Sequence, residues 1–76
     1  MAGETLRNTL KVQRAMRDLT QAELASLAGL ARRSVNAVET GRMVPSIRLA
    51  LKLAHALGVS VETIFSLDEL AETGGA

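Results

Sequence analysis

The stretch QAELASLAGLARRSVNAVET, residues 21–40, predicts two short helices joined by a tight turn. Apolar residues at helical spacing lie on both sides of the turn: Leu24, Ala25 and Leu27 before it, and Leu30, Val35 and Val38 after it. Gly29 separates the two groups, and glycine takes a positive φ without a Cβ penalty. The small side chain of Ala25 lets the helices approach closely. We therefore expect the first helix to end abruptly at Gly29 and the second to leave at a steep angle, exposed along one side.

Two arginines stand at the start of the second of these helices. Helical spacing places Arg32 and Arg33 at its outward face. A helix N-terminus carries partial positive charge and favours acids, so this placement reduces helix stability and points to function. An arginine at the leading end of a helix in the DNA major groove reaches O6 and N7 of guanine. The pattern predicts a DNA-reading helix-turn-helix, and two solvated arginines are the alternative interpretation.

Length and composition favour one small domain. The chain has 76 residues and no cysteine, which excludes disulfides and thiolate metal sites. The N-terminus is too polar for a signal peptide, and no apolar run approaches the roughly 20 residues of a membrane span. We expect a cytoplasmic protein that does not associate with membranes.

The net charge of +1 conceals an uneven distribution. Residues 1–55 carry nine Lys or Arg against four acids, a net charge of +5, whereas residues 56–76 carry four acids and no Lys or Arg, a net charge of −4. A basic body favours a polyanionic partner, although a mixed solvated surface gives a similar count.

Start and stop signals extend the pattern to an all-α, five-helix chain. Thr20 and Glu23 form the T-x-x-E capping pattern, Ser46 and Ser60 are further N-caps, and glycines follow three of the helices. The expected helices cover residues 5–18, 21–28, 32–40, 47–57 and 61–66. The expected inward face of the fourth consists of Ile47, Ala50, Leu51, Ala54 and Leu57. We interpret His55 as a surface residue. Residues 1–66 then form the domain and residues 67–76 a short acidic tail whose end we expect to be disordered.

The motifs resemble the repressor-type helix-turn-helix domains of lambdoid phage repressors, Cro proteins and related XRE-like bacterial regulators. The matching segments are LTQAELA (19–25), GLARRSV (29–35), VETGR (38–42), PS (45–46) and ALGVSV (56–61). The resemblance covers about residues 6–65, and the motifs are specific in combination. It implies a five-helix domain whose third helix enters the major groove, usually as a two-fold dimer on a palindromic operator.

The resemblance also implies roles for individual residues. Base reading falls to Arg32, Arg33 and Ala37. Phosphate contact and positioning fall to Gln21, Thr40 and Arg42, with Ser34 and Asn36 able to add phosphate or sugar contacts. The family pairs an arginine of the first helix with a glutamate near the end of the third, which here are Arg14 and Glu39. One position departs from the family pattern, because Ala31 occupies the cap of the third helix, where Ser or Thr is usual.

The sequence leaves three functions open. The leading one is a sequence-specific DNA-binding transcriptional regulator acting as a homodimer, and the alternative is an antitoxin that binds a toxin and regulates its own promoter. A third is a helix-turn-helix kept as a protein-interaction module, against which the two arginines count. We expect no enzyme, metal, cofactor or small-molecule ligand, because the chain has one histidine and no phosphate-binding loop.

Subunit contact and intrachain core remain alternatives for several apolar residues beyond the helix-turn-helix. The candidates for the dimer contact are Val59, Val61, Phe65, Leu67 and Leu70. Phe65 is the only aromatic residue of the chain, so it is either a principal core residue or part of the contact between subunits.

Overall fold

The computed structural model describes residues 5–68, which form five helices and a two-stranded antiparallel sheet. The helices are α1 (Leu10–Ala15), α2 (Gln21–Ala28), α3 (Arg32–Glu39), α4 (Ile47–Leu57) and α5 (Val61–Ile64). The strands are β1 (Leu6–Asn8) and β2 (Phe65–Leu67). The five-helix, all-α prediction is confirmed, and the short sheet is an addition to it.

Local signals define α2 at both ends. The Thr20 hydroxyl accepts from the Glu23 backbone N–H at 3.0 Å, and the Glu23 carboxylate accepts from the Thr20 N–H at 2.8 Å. At the other end Gly29 adopts a left-handed conformation with φ 70°. The Leu30 N–H then donates to the Ala25 carbonyl at 2.8 Å. These bonds use backbone groups that the helix leaves unpaired, so α2 begins and ends where the sequence predicts.

The predicted start of the first helix at residue 5 is wrong. Residues 6–8 form β1, which pairs with β2 so that Leu6 faces Leu67 and Asn8 faces Phe65. The Asn8 side chain then accepts from the Leu10 N–H at 3.1 Å, so α1 begins only at Leu10. This helix also ends at Ala15, before the predicted residue 18.

The predicted end of the fifth helix is wrong for the same reason. Phe65 has the extended dihedrals φ −118° and ψ 140°, and β2 replaces the last turn expected there. Leu67, assigned to the tail, lies in this strand, and Asp68 forms a 3.0 Å ion pair with Arg7 of β1. Leu70 and the predicted disorder of the tail lie outside the described residues.

A single apolar cluster holds the helices together. Its fully buried side chains come from all five helices: Leu10, Leu24, Val35, Val38, Leu53 and Ile64. The prediction that Ile47 and Leu51 belong to the inward face of the fourth helix is wrong, because 80% and 55% of their surfaces are exposed, and Leu27 of the apolar pattern in α2 is also 62% exposed. In α4 the buried face runs instead through Ala50, Leu53, Ala54 and Leu57. Helix α4 therefore has a second apolar face that the core does not cover.

Candidate nucleic-acid interface

Helix α3 has one buried and one exposed face. Val35 and Val38 are completely or almost completely buried in the core. Arg32 and Arg33 are exposed at its N-terminus, and Ala31 makes no side-chain cap there. The valines therefore fix the rotation of α3 and place both guanidinium groups at the surface. Ser34, Asn36 and Ala37, which the resemblance also assigns to DNA, are half-buried.

A polar groove lies beside this helix. It is lined by Gln21 at the start of α2 and by Arg32, Arg33 and Asn36 of α3. Four of the residues assigned to DNA thus meet on one surface, although they come from two helices. Donors and cations on a convex helix are the groups that contact phosphates and base edges.

The Gln21 side chain is already engaged within the protein. Its amide nitrogen donates to Asn36 Oδ1 at 3.1 Å and to Glu39 Oε1 at 3.0 Å, which uses both amide hydrogens. A phosphate at this helix start would therefore meet the backbone N–H groups of the first turn of α2. Within residues 5–68 the Asn36 amide nitrogen donates to no protein acceptor, so it is available to donate outward.

Arg14 and Glu39 form a bidentate ion pair next to Gln21, one of the residues that line the polar groove. Arg14 Nε lies 2.7 Å from Glu39 Oε2, and Arg14 Nη2 lies 3.2 Å from Glu39 Oε1. Arg14 Nη1 also donates to the Leu19 carbonyl at 2.7 Å. The Glu39 side chain is only 4% exposed. This pair joins α1 to α3, and Gln21 extends it to α2.

The ion pair changes the titration of its carboxylate. Burial of Glu39 raises its pKa, but the hydrogen bonds from Arg14 and Gln21 and the charges of Arg14 and Lys11 outweigh that effect. The net result is a pKa below the ordinary range of glutamate. The hydrogen bond to Glu39 raises the pKa of Arg14. Both groups are therefore ionised at neutral pH and act in positioning the three helices.

Thr40 and Arg42, which follow α3, are both exposed but differ in the hydrogen bonding of their side chains. Arg42 is exposed and directly follows Gly41, whose positive φ of 77° lies in the turn after α3. Thr40 is also exposed, but its hydroxyl donates to the Asn36 carbonyl at 2.8 Å. Because phosphate oxygens only accept, Thr40 would have to rotate its hydroxyl to donate to one.

One anchoring residue was not identified from the sequence. Asn8 Nδ2 of β1 donates to the Val38 carbonyl at 3.0 Å, which ties the sheet to the last turn of α3. No local motif marks this contact, because the two residues lie 30 positions apart. Residues 5–68 contain no cluster of His, Asp or Glu able to hold a metal ion. None of the helices within this range is long and apolar enough to cross a membrane.

Fold and site together define a helix-turn-helix protein. Its motif consists of α2 and α3, and α3 is exposed and carries two arginines. Residues 10–64 match the model of the helix-turn-helix family. An uncharacterised HTH-type transcriptional regulator of Methanocaldococcus jannaschii is 41% identical over 64 residues, which cover 84% of this chain and 97% of that relative. The chain belongs to the helix-turn-helix family of DNA-binding transcriptional regulators.

Solved structures agree with this assignment. The restriction-modification controller protein C.AhdI from Aeromonas hydrophila is 39% identical, with a TM-score of 0.69 over 71% of this chain and 82% of that one. The N-terminal DNA-binding domain of SinR from Bacillus subtilis is 33% identical, with a TM-score of 0.67 over 71% of this chain and 80% of that one.

Proposed function

We propose that this protein is a homodimeric, sequence-specific regulator that binds a palindromic DNA operator with α3 in each major groove. The observation that carries this proposal is the geometry of α3. Val35 and Val38 fix the helix in the core, while Arg32 and Arg33 project from its leading end. A helix held in this way presents base-reading donors in one orientation.

The residues on this surface divide into two roles. Arg32 and Arg33 supply most of the base discrimination, at about 1–3 kcal/mol for each good bidentate pair, and Ala37 offers a methyl group to the bases. The positioning group comprises Gln21, through its backbone, with Ser34, Asn36, Thr40 and Arg42. Contacts of this second kind set the register on the duplex without carrying sequence information.

An apolar groove supports the proposed dimer. It is lined by Leu6 of β1, Val61 of α5 and Phe65 of β2, together with Val44 in the loop before α4 and Ile47 at the start of α4. Val44, which lines this groove, has 77% of its surface exposed. An isologous contact between two copies would cover it. Of the candidates from the sequence, Val59, Val61 and Phe65 pack against the core and are half-buried, Leu67 is half-buried in β2, and Leu70 lies outside the described residues.

Selection of bound sequences from random duplex DNA tests the proposal. We expect a palindromic motif whose half-site centres lie about 10–11 base pairs apart, or a multiple of that spacing. Affinity for this motif should exceed affinity for a scrambled duplex at every salt concentration, while both fall as salt rises.

Weak, salt-sensitive binding without enrichment of any motif would remove the regulator assignment. Independently of that result, a small protein that co-purifies in stoichiometric amount would favour the antitoxin, whose DNA binding regulates its own promoter.

A further inference from the structure

A second apolar surface lies between α2 and α4. Leu27, Ile47 and Leu51 form its floor, and each has more than half of its surface exposed. They line a groove of about 500 Å³. Single exposed apolar residues are ordinary on protein surfaces, whereas a concave group of them marks a binding surface. We call this surface the α2–α4 groove. It comprises Leu27, Ile47 and Leu51 together with Arg48, Lys52 and His55.

Basic side chains line the same groove. Arg48, Lys52 and His55 follow one another at helical spacing along α4, and no acidic residue is among the described residues that line the surface. Arg48 and Lys52 are four residues apart, so their like charges repel on the helix, and Arg48 also lies at the positive end of the helix dipole. The sequence of α4, IRLALKLAHAL, contains no acid to offset them. This arrangement lowers helix stability and therefore requires another explanation.

We propose that the α2–α4 groove binds an acidic amphipathic helix of a partner protein. The apolar face of such a helix packs mainly on Leu27 and Leu51, and its flanking carboxylates meet Arg48 and Lys52. Ile47 lies at the end of this groove and also lines the groove proposed for the dimer contact, so the two surfaces meet at that residue. Charge complementarity selects this occupant, because a basic or neutral helix would leave those cations unpaired. Ile47 and His55 are eight residues apart on α4, about 12 Å along its axis, which accommodates about two turns of a partner helix.

The groove and the DNA-facing surface use different residues. The polar groove beside α3 is lined by Gln21, Arg32, Arg33 and Asn36, none of which belongs to the α2–α4 groove. A partner helix and DNA can therefore be bound together. The groove provides a means of bringing a second protein to the operator, which is a function beyond DNA binding itself.

The test uses two synthetic helices of about 14 residues, long enough for four turns. Both carry leucines at helical spacing, flanked by glutamates in one peptide and by lysines in the other. Fluorescence anisotropy with the full chain should show at least about tenfold tighter binding of the acidic peptide. Leu27→Glu and Leu51→Glu should each weaken it by about tenfold or more, and Lys52→Glu should shift the preference towards the basic peptide.

Met16→Glu is the matched control. Met16 is 68% exposed on the C-terminal side of α1 and does not line the groove, so its substitution should leave peptide binding unchanged. Circular dichroism should show that all variants fold. Their affinity for DNA should remain within about twofold of wild type, because the change in net charge lowers it only slightly.

Several outcomes would overturn the proposal. Equal binding of both peptides, or binding insensitive to Leu51→Glu, would remove the groove as the site. Stronger binding to phosphatidylglycerol vesicles, lost in Leu51→Glu, would assign the surface to a membrane. A peptide of residues 67–76 that competes for the groove would assign it to this chain's own acidic segment, and dissociation of the dimer by Leu51→Glu would assign it to a second copy.

Discussion

Glu39 is the residue at which three helices meet. Its carboxylate receives Arg14 from α1 and Gln21 from α2, while it belongs to the last turn of α3 itself. A buried carboxylate held in this way is stable only while all its partners are present. The orientation of α3 thus depends on a polar network as well as on the apolar core.

Replacement of Glu39 should weaken folding in a pH-dependent manner. Glu39→Gln should lower the free energy of unfolding at pH 7 by about 2–3 kcal/mol, because Arg14 loses its charged partner. Folding lowers the pKa of Glu39, so its stabilisation is fully present above about pH 4.3, the unfolded value, and is lost as the pH falls through the folded value. Urea unfolding of both proteins between pH 7 and pH 3 measures the difference.

Glu62→Gln serves as the control for this measurement, because Glu62 is exposed in the first turn of α5. Its pH profile should follow that of the wild type closely. A Glu39→Gln profile that coincides with the wild-type profile from pH 7 to pH 3 would show that the ion pair contributes nothing to stability.

At the scale of single residues, some of the site could be predicted and some could not. The resemblance supplied Arg14 and Glu39 as partners, and the structure places them 2.7 Å apart. The engagement of Gln21 with Asn36 and Glu39 was not foreseen, since it depends on how α2 and α3 pack. The same packing leaves backbone N–H groups, and not the Gln21 amide, at the position assigned to phosphate.

At the scale of elements, the sequence was reliable where the signals were local. The bounds of α2 and α4 agree with the prediction because each has an N-cap hydroxyl and a C-terminal glycine with positive φ. The bounds of α1 and α5 do not, because β1 and β2 pair residues about 60 positions apart, and no local pattern records such pairing.

The uncapped start of α3 gives a prediction about stability. Ala31 has the extended dihedrals of an N-cap but no side-chain acceptor. Ala31→Ser should raise the free energy of unfolding by about 1 kcal/mol, because its hydroxyl can accept from the Ser34 N–H, which in the wild type donates to the Ala31 carbonyl at 3.0 Å. Thermal unfolding should show an increase in Tm of about 4–8 °C.

The matched variant is Ser46→Ala at the start of α4. The Ser46 hydroxyl accepts from the Leu49 N–H at 3.1 Å, so its removal should lower stability by a similar amount. If Ala31→Ser has no effect while Ser46→Ala is destabilising, the start of α3 is already satisfied by its surroundings.

At the scale of the whole molecule, dimerisation should depend on the groove beside β1 and β2. Val44→Asp places a charge on that groove without touching the core, since Val44 is exposed. We expect the variant to remain folded but to sediment as a monomer. It should bind a palindromic site at least about tenfold more weakly than wild type, while binding a single half-site equally well.

Met16→Asp is the control for the dimer measurement, because it introduces the same charge at an exposed apolar residue that does not line this groove. A Val44→Asp protein that stays dimeric in analytical ultracentrifugation would place the subunit contact elsewhere.

Base reading by α3, with flanking residues bound to the phosphate backbone, predicts different losses of affinity for two arginine variants. The affinities of wild type, Arg33→Ala and Arg42→Ala are measured against the selected operator and its single-base variants over a range of salt concentrations. Arg33→Ala should lose about 1–3 kcal/mol of discrimination at one base pair, and Arg42→Ala should weaken all sequences alike and reduce the salt slope by about 1. Uniform loss of affinity in both variants, with every base preference retained, would contradict the assignment of base reading to α3.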